Sequence, residues 1–278
     1  MAAPRFLIEP FFLDGPNGRL FCVYTRPSTA PRAAVLHLPA FAEEMHKSRR
    51  MVALMARALA ERGVAVLQVD LTGCGDSGGD FADASWPVWL ADAQAAHAWL
   101  AQASGAPVTV WGLRTGALLA ADLARQLPVQ RLLLWQPVVD GGLFLNQFLR
   151  IRLASEMLSD GQTKNGTQRL LGELDAGNAV EVGGYLLAPA LARELRQLKL
   201  AQWPPRCAVT WLETTSLDSA AITPASQRVV DAWQQHGTAV ETAAVGGEAF
   251  WTTQEISTCP ALIDRTLDSI DDEQLALA

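Results

Sequence analysis

The residues most suggestive of chemistry lie in the run Val108-Thr109-Val110-Trp111-Gly112-Leu113-Arg114-Thr115-Gly116-Ala117-Leu118-Leu119-Ala120. An apolar stretch suited to a buried strand meets a bend bounded by two glycines, and a helix-forming segment follows. Gly112-x-Arg114-x-Gly116 has the spacing of a G-x-S-x-G turn, in which a sharp strand-to-helix bend exposes a nucleophilic side chain. Here the central position is arginine. A guanidinium stays protonated and only donates hydrogen bonds, so it cannot attack a carbonyl. It can hold an anion: its planar fork suits a carboxylate or phosphate. The N-terminus of the following helix adds partial positive charge at the same place. The plain alternative is an ordinary strand-to-helix turn with two glycines.

The elements around this turn can be read in order. Residues 6–13 and 19–26 are strand-like runs around Gly15-Pro16-Asn17-Gly18, which predicts a β-hairpin. Short apolar runs at 33–38, 64–71, 108–113, 131–138, 207–213 and 240–245 predict buried strands. Between them, 48–62, 86–102, 115–126 and 224–235 carry apolar residues at helical spacing, and 260–275 predicts a last helix. Strands alternating with helices imply parallel crossovers and a sheet covered on both faces. The alternation pauses over residues 140–204, which read as a helical insertion with loop signals at Asp160-Gly161 and Gly183-Gly184. The expected organisation is a core of 1–139 and 205–278 with a cap of 140–204. Trp86, Trp89 and Trp99 on one predicted helix are expected in the core.

The bulk properties narrow the function. The chain has 278 residues, half of them hydrophobic and 18% charged, which excludes a disordered chain. Net charge is −7, and Lys47 with Arg49-Arg50 is the only local basic cluster, so no nucleic-acid surface is expected. Cys22, Cys74, Cys207 and Cys259 are far apart and suggest neither a metal site nor a disulfide framework. No cofactor is implied. No signal-like start and no apolar run of about 18 residues is present, so a cytoplasmic protein without a membrane span is expected.

Two further loops bear on the fold. Asp70-Leu71-Thr72-Gly73-Cys74-Gly75-Asp76-Ser77-Gly78 follows the fourth strand and is similar to the D-x-x-G-x-G-x-S loop of many α/β-hydrolases. Its own chemistry is that of a turn, and Ser77 reads as a turn residue. His37-Leu38-Pro39-Ala40-Phe41-Ala42 follows the third strand, where that fold supplies an oxyanion-hole N–H, usually after an H-G pair; Leu38 replaces the glycine. The loop continues as Glu43-Glu44-Met45-His46-Lys47-Ser48-Arg49-Arg50. These charges suit a solvated helix start, with Glu43 and Glu44 near its positive end.

With Phe41-Ala42-Glu43-Glu44-Met45, Lys47-Ser48-Arg49-Arg50, Gly73 to Gly78 and Trp111-Gly112-Leu113-Arg114, the chain resembles the exosortase A system-associated hydrolase 2 family. The resemblance implies an α/β-hydrolase fold with a mostly parallel central sheet, helices on both faces, an N-terminal β-hairpin and a helical cap. It also implies a setting in exopolysaccharide synthesis and protein sorting. The family name implies hydrolase ancestry and fixes no reaction.

A hydrolase of this fold needs nucleophile, acid and histidine in that order. Arg114 holds the first place, with Thr115 beside it. Asp218 is the natural acid after the strand ending near Glu213, and Glu213 is second. The segment Gly246-Gly247-Glu248-Ala249-Phe250-Trp251 should carry the histidine and has none; His37, His46, His97 and His236 lie elsewhere. His46 is the one near the expected pocket. Ordinary serine-esterase activity is therefore not expected.

Two readings stay open. In one, Arg114 with Phe41, Ala42, Glu43, Glu44 and Glu248 binds an anionic small molecule, with at most an unconventional hydrolase activity using His46, Glu43, Glu44 or Thr115. In the other, Arg114 pairs with a carboxylate, Glu43, Glu44, Glu248 or Asp218, and plugs the site of a non-catalytic scaffold.

Overall fold

A computed structural model describes residues 5–160, 166–215 and 221–277. The hairpin β1 (Phe6–Gly15) and β2 (Gly18–Pro27) opens the chain, in register from Phe6 opposite Pro27 to Gly15 opposite Gly18. Then β3 (Ala33–Leu38), α1 (Glu43–Glu61), β4 (Val64–Val69), α2 (Trp86–Ser104), β5 (Val108–Leu113), α3 (Gly116–Gln126) and β6 (Arg131–Trp135) follow. A segment that adds no strand to the main sheet comes next, made of α4 (Gly141–Asp160), α5 (Gly166–Asp175), the small hairpin β7 (Val180–Val182) and β8 (Tyr185–Leu187), and α6 (Pro189–Gln197). The chain ends with β9 (Ala208–Thr215), α7 (Pro224–Gln235), β10 (Val240–Gly246) and α8 (Pro260–Leu277).

The main sheet has eight strands in the order β1-β2-β4-β3-β5-β6-β9-β10. β2 pairs antiparallel with β4, and from β4 to β10 every neighbouring pair is parallel. Continuous apolar strands such as Arg131–Trp135 are buried because both faces are covered. One face packs Val35, Leu133 and Trp135 against Met51 and Met55 of α1 and Leu262 of α8. The other packs Leu36, Leu132 and Leu134 against α2, α3 and α7, and its core continues into Leu145, Leu149 and Leu191 of the insertion. Trp86 and Trp89 are buried there, and Trp99 packs on Phe11 and Tyr24.

Local chemistry sets the ends of α2. Ser85 accepts from the Val88 N–H, Pro87 occupies the first turn, and Gly105 closes the helix at φ +63°. The Glu194 carboxylate of α6 accepts from the Trp86 N–H at 2.7 Å, tying the insertion to the start of α2.

Two expectations need correction. The first core helix begins at Glu43, not near residue 48, because the chain turns sharply at Ala42 (φ +51°) and enters the helix at once. The insertion is not wholly helical: Gly183 and Gly184, at φ +57° and +89°, turn the β7–β8 hairpin. No helix among the described residues is long and apolar enough to cross a membrane.

Candidate functional site

The bend after β5 is a true strand-to-helix elbow. Arg114 sits at its tip with φ +56°, a left-handed conformation uncommon for a side chain with a Cβ. A Cβ on Gly112 would lie 2.5 Å from the Ala117 Cα, and one on Gly116 would lie 2.2 Å from the Leu38 carbonyl oxygen. Both glycines are therefore required by backbone packed on backbone. Inter-strand bonds hold the tip: the Arg114 N–H donates to the Trp135 carbonyl at 3.0 Å, and its own carbonyl accepts from Val138 at 3.1 Å.

Among the described residues two more non-glycine positions have positive φ, Ala42 at +51° and Gln136 at +43°. The three lie just past the carboxyl ends of β3, β5 and β6, which are adjacent in the sheet. Such geometry costs about 1–3 kcal/mol per residue and clusters where a site is shaped. Gln136 is pinned by its N–H to the Leu212 carbonyl at 2.8 Å, and its side-chain oxygen accepts from the Thr214 N–H at 2.8 Å.

The Arg114 guanidinium is held on three sides. Nη2 donates to Glu44 Oε1 at 3.1 Å, and Nε shares both Glu44 oxygens at 3.3 Å. Nη1 donates to the Gln136 carbonyl at 3.3 Å, and the Trp251 ring lies 5.3 Å from the guanidinium carbon. Glu44 stands in the first turn of α1, so the early start of that helix is what delivers it. Burial pushes the Glu44 carboxyl above its ordinary range, and the Arg114 and Lys47 charges only partly oppose this.

This pair lies beside a cavity of about 210 Å³. Phe41, Phe144, Phe148 and Ile151 form most of its apolar wall, with Gln147 and Thr252 adding polar atoms. Phe41 is the hub, packed edge-on against Phe81, Trp89, Phe144 and Phe148 at 5.0–5.7 Å. Glu43 also faces the cavity and accepts from the Tyr185 hydroxyl of β8 at 3.2 Å. Burial and the Glu43 charge push the Tyr185 phenol up to about 12.

Of the residues expected at the site, Phe41, Glu43, Glu44 and Arg114 meet around this one cavity, and Ala42 forms the turn between them. Thr115 is buried and lines a separate space of about 10 Å³ beside Trp86 and Trp89. His46 is exposed and stacks on Tyr185 at 6.5 Å, away from Arg114. Glu248 is exposed and forms no ion pair with Arg114; Trp251, three residues on, covers the guanidinium instead. Asp218 lies outside the described residues. Glu213 is buried and accepts from Trp211 Nε1 at 2.9 Å and the Thr223 N–H at 2.8 Å, which makes it a clamp between β9 and α7.

Sequence reasoning missed Gln136, Trp251 and the α4 residues Phe144, Gln147, Phe148 and Ile151. The spacing of Phe144, Phe148 and Ile151 marks an apolar helix face, but nothing in it names the cavity as the partner. His37 is buried against Trp111 at a ring distance of 4.3 Å, and burial holds it down to about 3, so it is a neutral core residue. Among the described residues no group of His, Cys, Asp and Glu could hold a metal ion. The N–H groups of Thr115 and Phe41 have no acceptor among the described residues.

An eight-stranded, mostly parallel sheet flanked by helices, with a strained elbow between β5 and α3, defines an α/β-hydrolase fold. The chain belongs to the Hydrolase_4 family, serine aminopeptidase S33, whose model matches residues 29–171. Solved structures agree on the fold. Est1E from Butyrivibrio proteoclasticus, bound to ferulic acid, is similar with TM-score 0.72 and 14% identity over 96% of this chain and 99% of that one. The α/β hydrolase GrgF from Penicillium sp. sh18 gives 0.65 and 16% identity over 94% and 97%. A thermostable carboxyl esterase from Bacillus coagulans gives 0.64 and 12% over 97% and 99%. No curated protein matches the chain.

Proposed function

We propose that this chain is an α/β-hydrolase-fold protein with a degenerate triad that binds an anionic small molecule at Arg114 and does not perform serine-ester hydrolysis. One observation carries the reading. The elbow tip, where this fold places a nucleophile, presents a guanidinium beside a cavity of about 210 Å³. The N–H groups of Thr115, next to Arg114 in the chain, and of Phe41, which lines the cavity, have no acceptor among the described residues and are candidate donors for an anion. The insertion, taken as a cap of residues 140–204 on a core of 1–139 and 205–278, supplies the apolar wall through α4. The resemblance to exosortase A system-associated hydrolase 2 proteins would set the ligand within exopolysaccharide or protein-sorting chemistry, in the cytoplasm.

The second reading has its own observation. Every guanidinium nitrogen of Arg114 already has a protein acceptor, as a plug would require. In that case the chain is a non-catalytic scaffold.

Titration with benzoate, a sugar phosphate and inorganic phosphate, followed by tryptophan fluorescence, separates the two, because Trp251 lies on the guanidinium. The anion-site reading expects at least one anion to bind wild type and to lose that binding in Arg114→Met. Binding of none, or equal weak binding by both proteins, leaves the plug. Serine-hydrolase probe labelling and an ester and thioester screen should both be negative; turnover that disappears in Arg114→Met would instead establish an unconventional enzyme.

A further inference from the structure

Resting on the anion-site reading, we propose that the ligand is a monocarboxylate with a compact apolar body, and that its binding takes up one proton, shared with Glu44. Charge and shape carry this. Arg114 is the only cation among the residues lining the cavity, and Glu44 already balances it at 3.1 Å. A dianion such as phosphate would overbalance the guanidinium by one negative charge even after Glu44 is neutralised. A monocarboxylate beside a protonated Glu44 cancels the guanidinium charge and leaves only Glu43, which is exposed and accepts from Tyr185.

The walls specify the rest of the ligand. Phe41, Phe144, Phe148 and Ile151 suit a ring or short alkyl chain, and Gln147 offers one amide to a polar substituent. The cavity, about 210 Å³, exceeds the roughly 150 Å³ apolar cavity that takes up benzene.

The proton follows from geometry. A carboxylate that engages the Arg114 fork must approach the two Glu44 oxygens, since both accept from the same guanidinium. Two carboxylates at that range raise each other's affinity for a proton, and one buried guanidinium balances only one of them, so the pair keeps one proton. Burial already raises the Glu44 carboxyl in the free protein, which lowers the cost of placing that proton. The other charges are accounted for. Lys47, one turn along α1, donates to the Thr252 carbonyl, and Glu43 accepts from Tyr185. From α4 the cavity receives only Phe144, Gln147, Phe148 and Ile151, and from the loop after β10 only Thr252; Trp251 beside Arg114 is uncharged. His46 stacks on Tyr185.

Calorimetry with benzoate and hexanoate, in two buffers of different ionisation enthalpy, reads the proton directly. Near neutral pH, binding to wild type should take up about one proton, and Kd should tighten about tenfold per unit of falling pH. Glu44→Gln mimics the protonated acid: it should bind more tightly near neutral pH, without proton uptake and without the slope. His46→Gln should keep both. The double variant Glu44→Gln/Arg114→Met removes both charges without stranding either and should not bind. Binding without proton uptake, a slope that survives Glu44→Gln, or a slope lost in His46→Gln overturns the proposal. Arg114-dependent binding of phosphate but of neither carboxylate overturns it and leaves the anion-site reading standing. Binding of no anion by wild type overturns both.

Discussion

Arg114→Met removes one of two charges that stabilise each other beside the cavity. The Arg114 and Glu44 side chains are 16% and 18% exposed, so the pair is largely dehydrated. Removing one member of a buried pair costs about 3–5 kcal/mol, because the other is left stranded. The remaining exposure lowers the expected loss to about 2–3 kcal/mol near neutral pH. The pH dependence has a definite sign. Burial holds Glu44 above its ordinary value of 4.5 in the folded chain, despite Arg114. The folded state therefore binds more protons than the unfolded state above that value, and stability falls as pH rises through the folded-state value, then levels off. Arg114→Met removes both the charge and the hydrogen bonds that oppose burial, leaving Lys47 alone to do so. The folded-state value then moves higher, and each further unit costs about 1.4 kcal/mol. The defect should thus be small near the ordinary carboxylate range and full near about pH 8. Adding Glu44→Gln should recover most of it. Urea unfolding followed by tryptophan fluorescence at both pH values, with unchanged m, measures this. An equal loss at both pH values, or no recovery in the double variant, would falsify the coupling of these two residues.

Other substitutions test the frame of the site. Gly116→Ala would place a Cβ 2.2 Å from the Leu38 carbonyl oxygen, and should cost about 3 kcal/mol or more in chemical unfolding, since backbone must move. Gly172→Ala, on α5 with no atom within 4 Å of the new Cβ, should instead gain about 0.5–1 kcal/mol in the same assay. Phe41→Ala empties the aromatic hub at a residue 2% exposed and should cost about 3–5 kcal/mol. Arg114→Cys puts a thiol at the N-terminus of α3, where it should alkylate faster than the native cysteines, whose thiols burial raises, Cys22 and Cys74 to about 12. Adding Glu44→Gln should speed it further; mass spectrometry showing label first on Cys74 or Cys207 would refute the elbow's electrostatics.

The fold was legible because the strands of a doubly covered sheet are plain apolar runs, and the elbow announces itself through Gly112 and Gly116. Gly112 is required locally, by Ala117 five residues on, while Gly116 is required by the Leu38 carbonyl of β3; the spacing marks both without naming that distant contact. Arg114, Glu43, Glu44 and Phe41 could be brought together because the loops after β3 and β5 end at the same edge of adjacent strands. Glu248 failed as a partner for the opposite reason: which of several residues after β10 reaches Arg114 depends on how that loop packs, and the buried Trp251 wins over the exposed carboxylate. Gln136 was invisible because its contribution is a backbone carbonyl set by a positive φ, which a glutamine does not advertise. The α4 wall was half visible, as an apolar stripe whose partner only the packed insertion reveals.

The three positive-φ residues bear on which reading of the site is physically economical. Ala42, Arg114 and Gln136 together cost on the order of several kcal/mol, against a net stability of about 5–15 kcal/mol for a typical domain. A plug requires only that a guanidinium meet a carboxylate and that no space remain. It needs neither a strained tip nor unpaired N–H groups at Thr115 and Phe41. It also has no use for a cavity of about 210 Å³ walled by four apolar side chains. Each of these features lowers stability when the pocket is empty: the strain directly, the free donors through lost hydrogen bonds, the void through lost contacts. A ligand that fills the apolar space restores the lost contacts, and one that accepts from the guanidinium restores hydrogen bonds to it. The void and the unpaired donors thus favour the anion-site proposal over the plug on energetic grounds.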